Sequence, residues 1–512
     1  MSLQRPGARR LVWCGCARPA WEQAAPGFTA AADFSGRAPI RSSGRNIFMT
    51  TATKAAGEIL GDYLGGFHAV ELEDDIREKA LICLIDALGL ALSARTEPTT
   101  RAALALSSEL PVGSTRAATA WVSGDRLSAT EAAFANGVAT HAHFQDDTDH
   151  ESWTHPGSLV PPAIVALAER EGASLEAALR ALVAGYSVIN WLGRDEVVAR
   201  KLIARGFRTS PTFGTIAAAA GSAVILGLDA AKAASAVSIA ASTTGGTLEP
   251  VRSGADEWRV QNGRAAQGGL IAACLAQAGV VGAPQALDGP KGFLAAVAGM
   301  DKAPDVWSAS PDPAIMRRLQ AKPYATLGDN MAAATAAQKL HQDGIDASQI
   351  ADVEVTLWEP FTVYPGTNFK GPYERMVQTQ ASTAFAVGAM LSRGDITYEM
   401  GNTLRQDPLI LDLVGKTTVV PDAVNGALDS LITVTMKDGS KRQAHSREMP
   451  DELVFQNRAR SLSVFERRMA AIGATPGAAT AVGEKLFGEL ETGAGRPVSG
   501  ALQDVFALVR GK

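Results

Sequence analysis

A chain of 512 residues, 46% hydrophobic and 20% charged, exceeds what one hydrophobic core usually serves and lies far from the disordered regime, so two packed domains are expected. A formal net charge of −5 without a basic stripe excludes nucleic acid as a partner. Four scattered cysteines, Cys14, Cys16, Cys83 and Cys274, show neither metal-ligand spacing nor a disulfide framework, which points to a reducing compartment, the cytoplasm.

Residues 1–48 carry seven arginines and two acids, four prolines and no periodicity, and read as a disordered extension or a mis-assigned start preceding Met49. From Ala55 to Leu319 the apolar spacing is helical. Asp75 opens a stretch that runs to Leu92, and Ser128-Ala129-Thr130-Glu131 has the capping-box spacing that starts a helix towards His143. Ser174 and Asp229 are further N-caps. The uncharged run Thr209–Leu228 is long enough to span a bilayer, but its Ala, Gly, Ser and Thr content and the charges that follow predict a buried core helix.

After Pro323 the pattern alternates over Ala351–Leu357. Leu431–Met436 leads into the turn Lys437–Ser440 and a return strand from Lys441. Helical character resumes from Glu452, through Phe465–Met469 and again from Thr480. The expected division is a helical domain over 49–319, an α+β domain over 320–448, and C-terminal helices over 449–512 that rejoin the helical domain.

Four of the seven histidines, His141, His143, His150 and His155, fall within fifteen residues at a helix end, interleaved with Asp146, Asp147 and Asp149. Proton transfer beside a carboxylate needs a base near neutrality and an acid for the leaving group, and histidine with paired carboxylates supplies both. A metal site drawn from His141, His143, Asp146 and His150 lacks a recognised spacing, so neither a metal nor a cofactor is expected. The plainer alternative is that the carboxylates cap helices and each histidine is a satisfied polar group.

The run Ala132–Gly137 leading to His141, then Asp146-Asp147-Thr148 and His155-Pro156-Gly157, resembles the signature of the MmgE/PrpD family. Gly185-Tyr186, Gly206-Phe207, Thr212-Phe213-Gly214, Gly263–Ala266, Asp288-Gly289, Gly292-Phe293 and Lys322-Pro323-Tyr324 follow in the family's order. The resemblance implies a mainly α protein: a large all-helical domain built from both ends of the chain, a smaller α+β lid, a homodimer and no cofactor. It implies a site between the two domains, with Asp146, Asp147, Thr148 and His155 as catalytic and binding groups. The chain departs from the pattern at Arg208, Trp258 and Met331, where the family usually has histidine, lysine and histidine, and at Phe144, where an acid is common.

Arg208, Arg259 and Lys322 are then candidate carboxylate clamps, and Tyr324 a candidate acid. Surface or interdomain ion pairs are the competing reading for each cation. The functional expectation is a cofactor-independent lyase acting by dehydratase-type β-elimination on a small di- or tricarboxylic acid, with no membrane partner. An epimerase or isomerase of a dicarboxylate, or a catalytically silent binding protein of the same fold, are the alternatives.

Overall fold

The computed structural model describes residues 54–109, 111, 114, 116–449, 457–493 and 495–509. The expectations for residues 1–48, Cys14, Cys16 and Glu452 lie outside them. After α1 (Ala56–Gly66), carboxylates Asp74 and Asp75 meet the unsatisfied N–H groups at the start of α2 (Asp74–Ser93). Pro98 opens α3 (Pro98–Ala105). The capping box forms as expected: Ser128 Oγ accepts from Glu131 N and Glu131 returns to Ser128, starting α4 (Ala129–His141).

Beyond α5 (Val160–Glu171), Ser174 caps α6 (Leu175–Gly193) and α7 (Val197–Ala204) follows. The uncharged run forms α8 (Thr209–Ile225), buried from Thr209 to Ala223 and packed between α6 and α11 (Glu257–Gln277). Asp229 caps α9 (Ala230–Thr243), and α10 (Glu249–Ser253) precedes α11. Among the described residues no helix is long and apolar enough to cross a membrane.

The helical region is not wholly helical. Strands β1 (Ala117–Thr119) and β2 (Arg126–Ser128) form a small antiparallel hairpin, too short for alternation to register in the sequence. Buried Glu169 ties it down, accepting from Thr119 N at 2.6 Å and Thr119 Oγ1 at 2.7 Å.

The smaller α+β region carries a four-stranded sheet in the order β4-β3-β5-β6. In β3 (Ile350–Trp358), Val353, Val355 and Leu357 face the core while Asp352 and Glu354 face solvent, the alternation that the sequence shows. The turn at Gly439 joins β5 (Leu431–Met436) to β6 (Lys441–His445) as expected. Unforeseen is β4 (Thr417–Asp422), parallel to β3 at the sheet edge, where Pro421 is tolerated. Helices α12 (Met331–Gln342), α13 (Met376–Ala381), α14 (Thr383–Arg393), α15 (Tyr398–Thr403) and α16 (Pro408–Lys416) complete this region.

The C-terminal helices α17 (Arg458–Ala471) and α18 (Ala478–Thr492) pack on α2. Accordingly, one hydrophobic cluster unites side chains between Ala56 and Ala321 with those between Leu462 and Val509. A separate cluster runs from Tyr324 to Ala444. The chain passes from one to the other between Ala321 and Tyr324, so Lys322 lies at their seam.

Candidate active site

Helix α4 delivers His141 and the chain then turns sharply, with Phe144 held in the left-handed region at φ +58°, costly for a bulky residue. Asp146-Asp147-Thr148 follow. Thr148 exchanges backbone hydrogen bonds with Gln320, N to O at 2.7 Å and in return at 2.9 Å, which fixes the residue-322 strap beside the loop. A second backbone bridge, Asp149 with Thr154, folds the loop back to His155. Asp147 pins this return: it accepts from Gly157 N at 2.6 Å and from the Tyr186 hydroxyl at 2.7 Å. A Cβ on Gly157 would sit 3.0 Å from the Asp147 carboxyl, tighter than ordinary contact.

A glycine contact also brings α4 and α11 together. A Cβ on Gly263 would lie 2.5 Å from the Phe134 carbonyl, and one on Gly137 2.9 Å from Gly263 Cα. That approach lets Asn262 donate to Ser158 Oγ at 2.8 Å, and Ser158 in turn lies beside His141 Nδ1.

At the centre, His141 Nδ1 is 2.9 Å from both Asp146 oxygens, and Arg208 Nη2 donates to His141 Nε2 at 3.0 Å. With Nε2 accepting, the ring is neutral and its Nδ1–H points at Asp146. Burial, only partly opposed by Asp146, pushes His141 down to about 4 and keeps it neutral. Burial works against the Asp146 charge, but His141, then His155 and Lys322, hold its carboxyl below the usual range. His155 Nδ1 lies 3.3 Å from Lys322 Nζ and 3.2 Å from Thr148 Oγ1. Burial and the Lys322 charge push His155 far below its ordinary value, so it too is a neutral base.

Two buried cations face this cluster without an ion pair. Arg208 sits at the start of α8, 3% exposed, and donates only to neutral acceptors: the Trp258 carbonyl at 2.7 Å, Gln261 at 3.0 Å, Asn262 at 3.4 Å and His141. Lys322 is fully buried, its ammonium over the Phe144 ring at 4.9 Å. Burial lowers Lys322 to about 8, against the pull of Asp146, Asp147, Asp329 and Asp86. Among the described residues no carboxylate lies within salt-bridge distance of either. Asp147 does not redress the balance, because burial raises it to about 7.

The structure thus gathers Asp146, Thr148, His155, Arg208 and Lys322, with Asp147 behind them as a brace. Two candidates stand elsewhere. Tyr324 belongs to the second hydrophobic cluster, and its hydroxyl donates to Gln338 of α12 at 2.6 Å. Arg259 stacks on Trp258 at 4.1 Å and gives its donors to the Ala142 carbonyl, Asp256 and the Tyr398 hydroxyl. The residues proposed as metal ligands separate: His143 goes to Glu97 and Tyr398, His150 to Gln320. Among the described residues no group of three His, Cys, Asp or Glu side chains is arranged to hold a metal ion.

Asp329 and Tyr364, which face the cations of the cluster, carry no motif. Burial raises Asp329 to about 7, opposed by Lys322, and Tyr364 to about 12, opposed by Arg208. Each lies in the smaller region, Asp329 five residues after Tyr324 and Tyr364 far along the chain from any motif. Asn262 was detectable only as the neighbour of Gly263.

The family model for the MmgE/PrpD N-terminal domain matches residues 58–305. The chain is 32% identical over 245 residues to cis-aconitate decarboxylase of Homo sapiens, covering 47% of this chain and 50% of that protein. It is 32% identical over 250 residues to cis-aconitate decarboxylase of Mus musculus, covering 47% and 49%. To a cis-aconitate decarboxylase-like protein, oryM, of Aspergillus oryzae it is 29% identical over 313 residues, covering 56% and 64%. The chain therefore spans about half the length of the mammalian relatives it matches.

Proposed function

Because residues 58–305 match the family model for the MmgE/PrpD N-terminal domain, we propose that the chain is a lyase acting on a small di- or tricarboxylic acid, by proton transfer beside a carboxylate. The observation that carries this reading is the pair of unpaired buried cations, Arg208 and Lys322, facing a cluster in which Asp146 is the carboxylate held below its ordinary range. A buried charge without a counterion is costly, and an anionic ligand supplies one. Arg208 offers a fork that matches a carboxylate bidentately, and Lys322 a compact point charge.

A carboxylate clamped by two cations acidifies the adjacent C–H, because negative charge develops on its oxygens as the proton leaves. His155, neutral and within hydrogen-bond reach of Lys322, is the base that takes this proton. Lys322, lowered to about 8, returns a proton to the departing hydroxyl, so that water leaves and a carbon–carbon double bond forms. Asp146 fixes the His141 tautomer and His141 orients Arg208. The same groups suit a second reading, supported by the names of the relatives: decarboxylation, in which CO2 leaves and the acid protonates the carbanion.

Incubation with citrate, malate and cis-aconitate, followed by ultraviolet absorbance, CO2 release and chiral product analysis, separates them. Conjugated absorbance from a hydroxy acid is the expected result. CO2 from cis-aconitate establishes the second reading. Inverted chirality at unchanged mass, or no turnover of any acid, overturns the lyase assignment.

A further inference from the structure

Resting on that carboxylate-lyase reading, we infer that Arg468 and Asp86, contributed by α17 and α2, are positioning residues that hold Lys322 against His155. Neither belongs to a motif, and 382 residues separate them in the chain. Arg468 Nη1 meets Asp86 Oδ1 at 2.5 Å, while its Nη2 donates to the Lys322 carbonyl at 3.2 Å. Both side chains are buried, 8% and 6% exposed.

The strap around Lys322 has little secondary structure of its own, and each of its carbonyls needs a donor from elsewhere. Lys79 of α2 donates to Leu319 O at 3.2 Å, Thr148 N to Gln320 O at 2.7 Å, and Arg467 Nη2 to Pro323 O at 2.7 Å. Arg468 supplies the bond at Lys322 itself. A buried ion pair is seldom the most stabilising solution, since matched apolar groups usually do as well. This pair does what apolar groups do not: its spare guanidinium donor fixes a backbone carbonyl, and Asp86 places a carboxylate in the field of Lys322.

Lys322 is faced by Asp86 from α2, by Asp146, Asp147 and His155 from the loop, and by Asp329 from the turn before α12; its charge also reaches His141 and His150. Removing Asp86 takes away a negative charge that favours the ammonium. Removing Arg468 leaves Asp86 buried without its counter-charge, and burial then drives that carboxyl towards its neutral form, so its pull on Lys322 is lost as well. Both substitutions therefore move the Lys322 titration downward, and Arg468→Lys, which restores the charge opposite Asp86, reverses the shift, which loss of packing alone does not predict.

The test measures calorimetric affinity for tricarballylate, an unreactive tricarboxylate, from about pH 6 to pH 10, alongside turnover of the best substrate in the panel above. Wild-type affinity should fall as pH rises through about 8, because Lys322 loses its charge. Asp86→Asn and Arg468→Met should each shift that midpoint down, by roughly half a unit or more. Arg468→Lys restores the charge opposite Asp86 without the second donor. It should keep the wild-type midpoint yet lower kcat by about tenfold, with KM changed far less.

Unmoved midpoints in folded Asp86→Asn and Arg468→Met proteins overturn the inference and leave the carboxylate reading standing. Absence of tricarballylate binding by wild type across the whole range, with no turnover, sinks both. Should circular dichroism show either variant unfolded, Arg467→Gln decides: it removes the shorter of two bonds to the Pro323 carbonyl, leaving Gln145 at 3.5 Å, together with a contact to Asp395 at 3.8 Å. It should lower kcat at an unchanged midpoint, and unchanged kcat overturns the inference.

Discussion

His141 and His143 leave the same helix end two residues apart and enter opposite surroundings. His141 is enclosed, with Asp146 on one ring nitrogen and Arg208 on the other. His143 stacks on Tyr398 at 3.9 Å, lies 3.7 Å from Glu97, and lines a cavity of about 370 Å3 shared with Gln145, Arg467 and Arg468. In that seam the charges answer one another: Tyr398 donates to Glu97, and Glu97 faces His143. Around His141 they do not, and the excess is positive. Proximity in sequence therefore says little about shared chemistry here; what distinguishes the two sites is whether the side chains present neutralise each other.

The sharpest way to break this contrast is Asp146→Asn. If the enclosed cluster is the reactive one, turnover should fall by about a thousandfold or more in steady-state kinetics, with the negative charge beside His141 and Lys322 gone. Next comes His155→Gln, expected to cost about a hundredfold in kcat. Among the described residues its side chain hydrogen-bonds Thr148 and Lys322 and touches the Phe144 and His141 rings, so the melting temperature should move by a few degrees at most. Arg208→Lys keeps the charge but loses the fork, and should raise KM about tenfold with a smaller change in kcat. Unchanged KM would remove Arg208 from the substrate.

A smaller effect sharpens the same point through pH. Turnover should decline as pH rises through about 8, where Lys322 loses its proton, whereas His155, already neutral, should contribute no limb between about pH 6 and 8. Lys322→Arg, charged at every working pH but unable to give up a proton, should cost about a hundredfold in kcat and abolish the alkaline limb of the turnover that remains; persistence of that limb would assign it to another group. Least affected should be Tyr398→Phe. Losing its bond to Glu97 should cost about 1 kcal/mol in denaturant titration and leave kcat within about threefold.

The fold was legible where local physics decides. Ser128, Ser174 and Asp229 cap the helices that their side chains predict, and the alternation in Ile350–Trp358 orients the sheet. Edge strand Thr417–Asp422 escaped because its half-buried residues do not alternate cleanly. Within the site, the loop residues Asp146, Thr148 and His155 were readable because one short segment carries them. Tyr324 lies next to the strap, but between Lys322 and Tyr324 the chain crosses from one hydrophobic cluster to the other. The Arg259 guanidinium meets a carbonyl, a phenol and an indole face, contacts that no local pattern announces. Asp86 and Arg468 had no local signal, because only the folded chain brings them near Lys322, and Tyr364 had none because only the fold brings it near Arg208; Asp329, seven residues beyond Lys322, lay close by but in no motif.

The Arg468 bond to the Lys322 carbonyl also sets an order of events during synthesis. Every residue of the enclosed cluster has been made once position 322 is reached, and domains generally form as units while the chain emerges. The donor that fixes Lys322 arrives only with α17, some 146 residues later. Until then a nascent chain holds Asp146, His155, Arg208 and Lys322 with the strap only partly tied, so the chemistry of the site comes into register as one of the last acts of folding.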